Sequence, residues 1–288
     1  SSSLGNVIEP LEVIEKYGAD ALRQGLLIAS VGSDFPFGWK DVGYCYSFMQ
    51  KFWNACRFAQ QHLAGYELPR KKPRLHAIDS GVLSLLQRLI AASTERMESF
   101  QFSTALQELQ SFVWHEVCDH YIETAKNRLY APKRRWMKNS AQYTLYTLIW
   151  TLARLLSPFA PHMTEEISHS LFNKTASDAH WPTMRLDMMN EEAERAWLAL
   201  KEAASAVRRL KSQLRLPLNA EISDAVIRYG DEGLKEILDR LKTDIKEAGR
   251  IRRIRILKDE KCPTLRITFS RRHGLCAKTK KQQPPHVY

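Results

Sequence analysis

The sequence predicts a mainly α-helical protein, an antiparallel helical bundle followed by a small α+β domain. Apolar residues recur at helical spacing through most of the first 175 residues, which predicts helices with one buried stripe each. From residue 221 onward, short segments alternate apolar and polar residues, which indicates strands. Hydrophobic residues make up 44% of the 288-residue chain, and this is enough for a buried core.

Residues 1–40 are predicted to form a loop-and-helix entry segment. Three serines and a glycine open it as a polar loop. Pro10 suits the first turn of a helix. Gly, Pro and aromatic residues over 32–41 then predict a packed turn at the end of the segment.

The helical bundle is assigned to residues 41–175. Ser103, Asn139 and Thr164 are the predicted N-caps of its last three helices. Because the connections between the helices are short, we expect an antiparallel arrangement. The five predicted helices run over residues 42–64, 79–99, 104–129, 139–157 and 164–172.

The small α+β domain is assigned to residues 176–270, and residues 271–288 to a basic tail without periodicity. Asn190 is the predicted N-cap of a helix that Pro217 ends. The rest of the α-β-α-β-β order is a strand over 221–229, a helix over 231–249 and strands over 251–257 and 265–269.

Composition narrows the class of protein and of partner. The net charge of +11 favours a polyanionic partner, of which nucleic acid is the commonest. The five cysteines are odd in number and form no CxxC pair, so we predict neither zinc nor a disulfide framework, in a reducing, cytoplasmic setting. No apolar run approaches the roughly 18 residues that span a membrane, and no signal peptide is visible.

The first long helix of the bundle carries a polar face with the chemistry for binding RNA. Lys51, Asn54 and Phe58 share this face at i, i+3 and i+7, and Arg57 lies beside them. An aromatic ring can stack on an unpaired base, an amide can read a base edge, and cations can hold phosphates. The alternative is that Phe58 fills a groove between helices while Lys51 and Arg57 are merely solvated.

Two basic stretches are further candidates for phosphate contacts. Arg134, Arg135 and Trp136 lie in a stretch over 128–138 that we predict to be a loop with an exposed tryptophan. Arg252 and Arg253 belong to a predicted strand within residues 246–288, a stretch that contains thirteen Lys or Arg residues and only three Asp or Glu. A solvated strand face is the alternative for the second stretch.

The run Trp114–Glu123 is close to a zinc-protease pattern but departs from it. The second histidine of HExxH is replaced by Asp119, and His120 lies one residue further round the helix. His115 and Asp119 can still share a face. We therefore predict a polar network between helices at this point and no metal site.

Four segments of the chain resemble class I aminoacyl-tRNA synthetases. The run SSSLGNVIEPLEVIEKYGADALR resembles the end of their ATP-binding KMSKS loop. The resemblance implies that Ser1, Ser2 and Ser3 are remnants of that loop, with Ser2 at the position of its second lysine. The runs DFPFGWKDVGYCYSFMQKFWNACRF, FVWHEVCDHYIETAKNRLY and LARLLSPFAPHMTEEI together resemble the anticodon-binding bundle of the valyl-tRNA synthetase family. The compact α+β ending is similar to that of archaeal and eukaryotic members.

The resemblance implies a function for the chain and for the face of the first long helix. It implies that the anticodon is contacted by Asn54, Arg57 and Phe58, and that Lys40 is a weaker candidate. The parent enzyme joins valine to its tRNA with ATP and Mg²⁺. The chain itself is expected to hold no catalytic residue, to bind no cofactor or zinc, to be inactive alone, and to bind valine tRNA as a monomer. The alternatives are the equivalent portion of an isoleucyl-tRNA synthetase and a free-standing basic helical module that docks a protein.

Overall fold

A computed structural model describes residues 9–28, 38–259 and 265–269 of the chain. These residues divide into two compact units, one up to Glu194 and one from Arg195 onward. The first unit is helical, and the second carries a small sheet, as the predicted fold class requires. No helix among the described residues is long and apolar enough to cross a membrane.

The first unit is an antiparallel helical bundle, with a buried apolar stripe on each long helix. Phe48, Phe52 and Ala59 form part of the stripe on the first long helix and are fully buried, as predicted. The α-helices of this unit are α1 Pro10–Tyr17, α2 Ala19–Leu27, α3 Trp39–Leu63, α4 Ala77–Glu98, α5 Phe102–Ser111, α6 Ile122–Tyr130, α7 Arg135–Leu156 and α8 Pro161–Phe172.

The predicted helix over 104–129 is a continuous helical rod whose middle is not α-helical. A π-helical segment, Phe112–Tyr121, joins α5 to α6. Its hydrogen bonds run from residue i to i+5, so residues five apart share a face. An apolar pattern with a period near 3.6 does not reveal this change of pitch.

Three predicted N-caps are wrong. Ser103 lies inside α5, where its hydroxyl donates to the carbonyl oxygen of Ile28 at 3.2 Å. Asn139 lies inside α7, which begins four residues earlier, at Arg135. Thr164 lies inside α8, which begins at Pro161, because a proline at the first helical position needs no amide partner.

A buried polar node ties α4, α6, α7 and the π-helical segment together. The carboxylate of Asp79 is fully buried and pairs with the guanidinium of Arg128, whose Nη2 lies 2.9 Å from Oδ1. The hydroxyl of Tyr121 donates to Oδ1 at 2.9 Å, and that of Ser140 donates to Oδ2. Burial and the adjacent Asp79 carboxylate raise the pKa of Tyr121 well above its ordinary value.

The second unit contains a βαβ motif with one further strand. It consists of most of α9 (Glu191–Gln213), β1 (Ile222–Tyr229), α10 (Leu234–Gly249), β2 (Ile251–Lys258) and β3 (Arg266–Phe269). The strand order is β2-β1-β3, with β2 parallel and β3 antiparallel to β1. The predicted α-β-α-β-β order is therefore confirmed. Asn190 caps α9 as predicted, because its Oδ1 accepts from the amide of Ala193 at 2.9 Å.

Candidate nucleic-acid interface

An open pocket of about 480 Å³ lies beside α3 in the first unit. Its size falls within the usual range for sites that bind small molecules. Helix α3 forms one wall, and the first turns of α2 and α8 form the other. The lining residues are Tyr46, Met49, Gln50, Trp53, Asn54 and Arg57 from α3, with Gly18, Ala19, Asp20, His162 and Met163 opposite them.

The wall from α3 combines an aromatic ring, an amide and a cation. Trp53 is half-buried, whereas Asn54 and Arg57 are exposed. Neither Asn54 nor Arg57 makes a side-chain hydrogen bond or ion pair with another residue that the structure describes. The indole can stack on a base, and the amide and guanidinium keep their donors for its edge or for a phosphate.

The opposite wall is held in place by a buried carboxylate. Asp20, at the start of α2, accepts from the amide of Met163 at 2.8 Å and from Nδ1 of His162 at 2.8 Å. It therefore caps the N-terminus of α8 from a distant part of the chain. Gly18 has a positive φ of 86° between α1 and α2, a backbone conformation that favours glycine and lets the chain turn here.

The other flank of α3 faces the π-helical segment and is internally paired. Lys51 Nζ lies 2.6 Å from Oδ1 of Asp119 and 4.1 Å from the ring centre of Trp114. Trp114 and Asp119 are five residues apart, and the π-helical pitch brings both toward Lys51. The predicted polar network between helices is present here, because Asp119 pairs with Lys51 of α3 through Oδ1 while its Oδ2 lies 3.2 Å from Nδ1 of His115.

Phe58 lies on the same flank, in a small aromatic cluster. Its ring centre is 4.5 Å from that of His62 and 6.2 Å from that of Tyr130. Phe58 is half-buried, while Tyr130 is 64% exposed and forms the outer surface of the cluster. Burial, and secondarily the charge of Lys138, lower the pKa of His62. His62 is therefore a neutral aromatic side chain near pH 7.

The remaining predicted contacts of the first unit lie away from the pocket. Lys40 is exposed in the first turn of α3, about 21 Å along the helix from Asn54 by the rise per residue. Arg134 and Arg135 are exposed at the N-terminus of α7. Cations are unfavourable at that end of a helix, so an anion bound there would be stabilised by both arginines and the helix dipole.

The prediction of an exposed Trp136 in a loop is wrong. Trp136 is half-buried in the first turn of α7, which begins at Arg135 rather than after the basic stretch. The guanidinium of Arg74 lies 4.2 Å from its ring centre, and His76 stacks at 6.2 Å. Because Arg74 and His76 contact the indole ring, we do not expect a base to stack on it.

Arg252 and Arg253 are exposed on β2 but do not share a face of the sheet. Adjacent residues of a strand point to opposite faces, so one phosphate chain cannot run along both side chains. Arg252 Nε lies 2.6 Å from Glu221 Oε1, and Arg253 Nε lies 2.9 Å from Asp224 Oδ1.

The other sequence predictions concern metals, thiols and the N-terminal serines. No group of three or more His, Cys, Asp or Glu side chains suited to a metal occurs within the described ranges. Cys118 is half-buried, and burial raises its pKa to about 12, so this thiol is unreactive. Ser1, Ser2 and Ser3, the predicted remnant of an ATP loop, lie outside the described residues.

Sequence reasoning missed several residues that form the pocket. Tyr46, Gln50 and Trp53 were not predicted, yet they share one face of α3 with the predicted Arg57, at spacings of four, three and four. This spacing could have identified the wall from α3. Asp20 and His162 could not have been found in this way, because their contact joins residues 142 positions apart.

Comparisons with known proteins give one family and a fold. The sequence profile of the family described as the anticodon-binding domain of tRNA ligase matches residues 79–227. A valine–tRNA ligase from Pyrococcus furiosus is 40% identical over 266 residues, covering 90% of this chain and 30% of that protein. One from Methanosarcina barkeri is 42% identical over 241 residues, covering 80% and 28%. The chain thus spans about 30% of the length of such relatives.

A solved structure shares the fold. It is the ternary complex of Agrobacterium radiobacter K84 agnB2 LeuRS with tRNA and LeuAMS. The match has a TM-score of 0.51 and 23% sequence identity, and it covers 66% of this chain and 23% of the other.

Proposed function

Because the chain belongs to the family of anticodon-binding domains of tRNA ligases, we propose that it is the tRNA-binding portion of a valine–tRNA ligase. The relatives from Pyrococcus furiosus and Methanosarcina barkeri, both valine–tRNA ligases, support valine as the amino acid. The proposed longer protein joins valine to tRNA in the cytoplasm with ATP and Mg²⁺. This chain contributes recognition of the anticodon stem and loop as a monomer, and no residue proposed here contacts ATP or the metal.

The pocket beside α3 is the observation that carries the proposal. One unpaired anticodon base would enter it and stack on Trp53, while Asn54 reads a polar edge of the base. Arg57 would bond either that base or the adjacent phosphate. These groups have no competing partners among the described residues, so RNA can bind them without breaking an internal bond.

The internally paired residues have secondary roles in the proposal. Phe58 and its exposed neighbour Tyr130 offer an aromatic surface against which a loop nucleotide can rest. Lys51 would reach a phosphate only by exchanging Asp119 for it, so its contribution should be smaller than that of Arg57. Lys40, Arg134 and Arg135 supply charge for the backbone of the stem.

The direct test is a binding titration of the 288-residue chain. Valine tRNA transcripts would be compared with transcripts that differ only in the three anticodon bases, including an isoleucine anticodon, at two salt concentrations. We expect each anticodon change to weaken binding by about 1–3 kcal/mol, as for other base mismatches. The valine transcript and the altered transcripts should lose affinity in parallel as the salt concentration rises, because their phosphate contacts are the same.

Two outcomes would contradict the proposal. Equal affinity for all anticodons would show that the chain reads no base of the loop. A preference for the isoleucine anticodon would assign the chain to the sister enzyme. A tRNA with an altered acceptor stem and the valine anticodon is the matched control, and its binding should be unchanged.

A further inference from the structure

The sheet of the second unit has one covered face and one more open face, on which Ile222, Val226 and Ile251 are buried but Arg253, Arg255 and Arg266 are exposed. On the covered face, Ala225, Ile227, Ile254 and Ile267 are at most 7% exposed. Helix α10, which connects β1 to β2, packs mainly against β2. A single βαβ unit places its helix on one side of the sheet, so the other side receives no cover from that helix.

Arginines dominate the open face, which we call the arginine face. In the register of the three strands, Arg255 lies opposite Val226, and Arg228 lies between Leu257 and Arg266. Arg253 lies opposite Asp224, and residues paired in register have their side chains on the same side of a sheet. The arginine face therefore carries Arg228, Arg253, Arg255 and Arg266, with Thr268 and Leu257 among them.

The charge of the arginine face is not neutralised within the part of the chain that the structure describes. Asp224 lies against Arg253, and Asp259 Oδ2 lies 3.8 Å from Nε of Arg228. Arg255 and Arg266 are exposed and make no side-chain hydrogen bond or ion pair with a described residue. Four guanidinium groups thus stand against two carboxylates, an excess that an acidic ligand would offset.

We propose that the arginine face binds the sugar–phosphate backbone of RNA, independently of the pocket beside α3. Arg253 and Arg255 are two residues apart on one strand, a spacing of about 6.6 Å, and Arg266 lies two strands across in register with Leu257, about 12 Å from Arg255. Guanidinium groups bond phosphate oxygens in a bidentate way, and a hydroxyl such as that of Thr268 is a common additional donor. Among the residues that the structure describes, this face carries no aromatic ring, so we expect it to read charge and not sequence.

The test uses paired double variants of the whole chain with the same change in net charge. Arg255→Gln/Arg266→Gln removes the two unpaired cations of the arginine face. Arg240→Gln/Lys242→Gln is the control, because both side chains are exposed on α10 and lie outside the sheet. The probe is an RNA stem-loop without a valine anticodon, titrated at two salt concentrations that differ fourfold.

The arginine-face variant should bind the probe with a shallower dependence on salt. Each lost phosphate contact lowers the slope of log K against log salt by about one. Over the fourfold increase in salt, the wild-type chain should therefore lose about tenfold more affinity than this variant, whereas the control should follow the wild-type.

Three results would overturn the proposal. Unchanged slopes for both variants would show that the face does not contact RNA. Equal reductions in both would show an effect of overall charge alone. Binding of polyglutamate that is lost only in the arginine-face variant, with unchanged RNA binding, would assign the face to an acidic protein segment. None of these results involves anticodon selectivity, so failure here is distinct from failure of the proposed function.

Discussion

The two flanks of α3 present similar side chains in different states. On the π-helical flank, Lys51 is paired with Asp119, and Phe58 packs against His62 and Tyr130. On the pocket flank, Asn54 and Arg57 have no such partners within the described ranges. The pattern of residues along one helix identifies which side chains lie outside its buried stripe. The neighbouring helices decide which of them remain available to a ligand.

Internal pairing and availability have opposite energetic consequences. A paired residue contributes to stability and must give up its partner before it can bind RNA. An unpaired, exposed residue contributes little to stability and can bind without that loss. Substitutions on the paired flank should therefore lower stability more than RNA binding, and substitutions on the pocket flank should do the reverse. Measuring unfolding and binding on the same variants distinguishes the two.

The largest expected effect concerns the buried polar node formed by Asp79 and Arg128. Arg128→Ala leaves the carboxylate of Asp79 buried without its cation, so we expect a loss of about 3–5 kcal/mol in unfolding free energy. The control is Arg185→Ala, which breaks an exposed pair with Asp187 and should cost below about 1 kcal/mol. Urea denaturation gives the unfolding free energy of both variants. Equal losses would show that the buried pair contributes no more to stability than the exposed pair.

On the pocket flank, Arg57→Ala should weaken binding of valine tRNA by about tenfold, which is about 1.4 kcal/mol. The unfolding free energy should change by less than about 0.5 kcal/mol, because the side chain is exposed. Fluorescence titration and urea denaturation of the same preparation give both numbers. A stability loss as large as the binding loss would show that Arg57 is a structural residue.

On the π-helical flank, Lys51→Ala should behave in the opposite way. Loss of the contact with Asp119 and of the cation–π contact with Trp114 should lower the unfolding free energy by about 1 kcal/mol. Binding of valine tRNA should weaken by less than about threefold, one phosphate contact at most. A tenfold loss of binding without loss of stability would place the RNA on this flank instead.

The smallest effect concerns pH. The pKa of His62 is lowered in the folded chain, so below about pH 6.5 the unfolded chain holds more protons than the folded one. Stability therefore falls as pH falls through this window, by less than about 1.4 kcal/mol per pH unit from this single group. His62→Gln should remove that part of the slope, measured by urea denaturation between pH 7.5 and about pH 5. An unchanged slope would contradict the assigned shift.

The sequence predicted the parts of the fold that local patterns encode. Helical spacing identified the long helices and the buried stripe of α3, and alternation identified the three strands. The π-helical segment was not predictable, because its apolar residues also fit an α-helical period. The cap of α8 could not be predicted either, since its carboxylate, Asp20, comes from another helix.

The same limit explains the candidate site. Asn54, Arg57 and Phe58 were found from their spacing and from a family resemblance. The sequence alone did not separate them from Lys51, because Asp119 and Trp114 reach Lys51 through a change of helical pitch. The prediction for Trp136 is wrong for a similar reason, since Arg74 contacts its ring from a distant part of the chain.

The most direct test of the pocket as an anticodon site is a double-mutant cycle between protein and RNA. Affinities would be measured for the wild-type chain, Asn54→Ala and Lys51→Ala, each with valine tRNA and with three transcripts that carry a single anticodon change. For one of the three positions, we predict that Asn54→Ala removes at least about 1 kcal/mol of the discrimination shown by the wild-type chain, while Lys51→Ala leaves it intact. Additive effects of Asn54→Ala at all three anticodon positions would contradict the account.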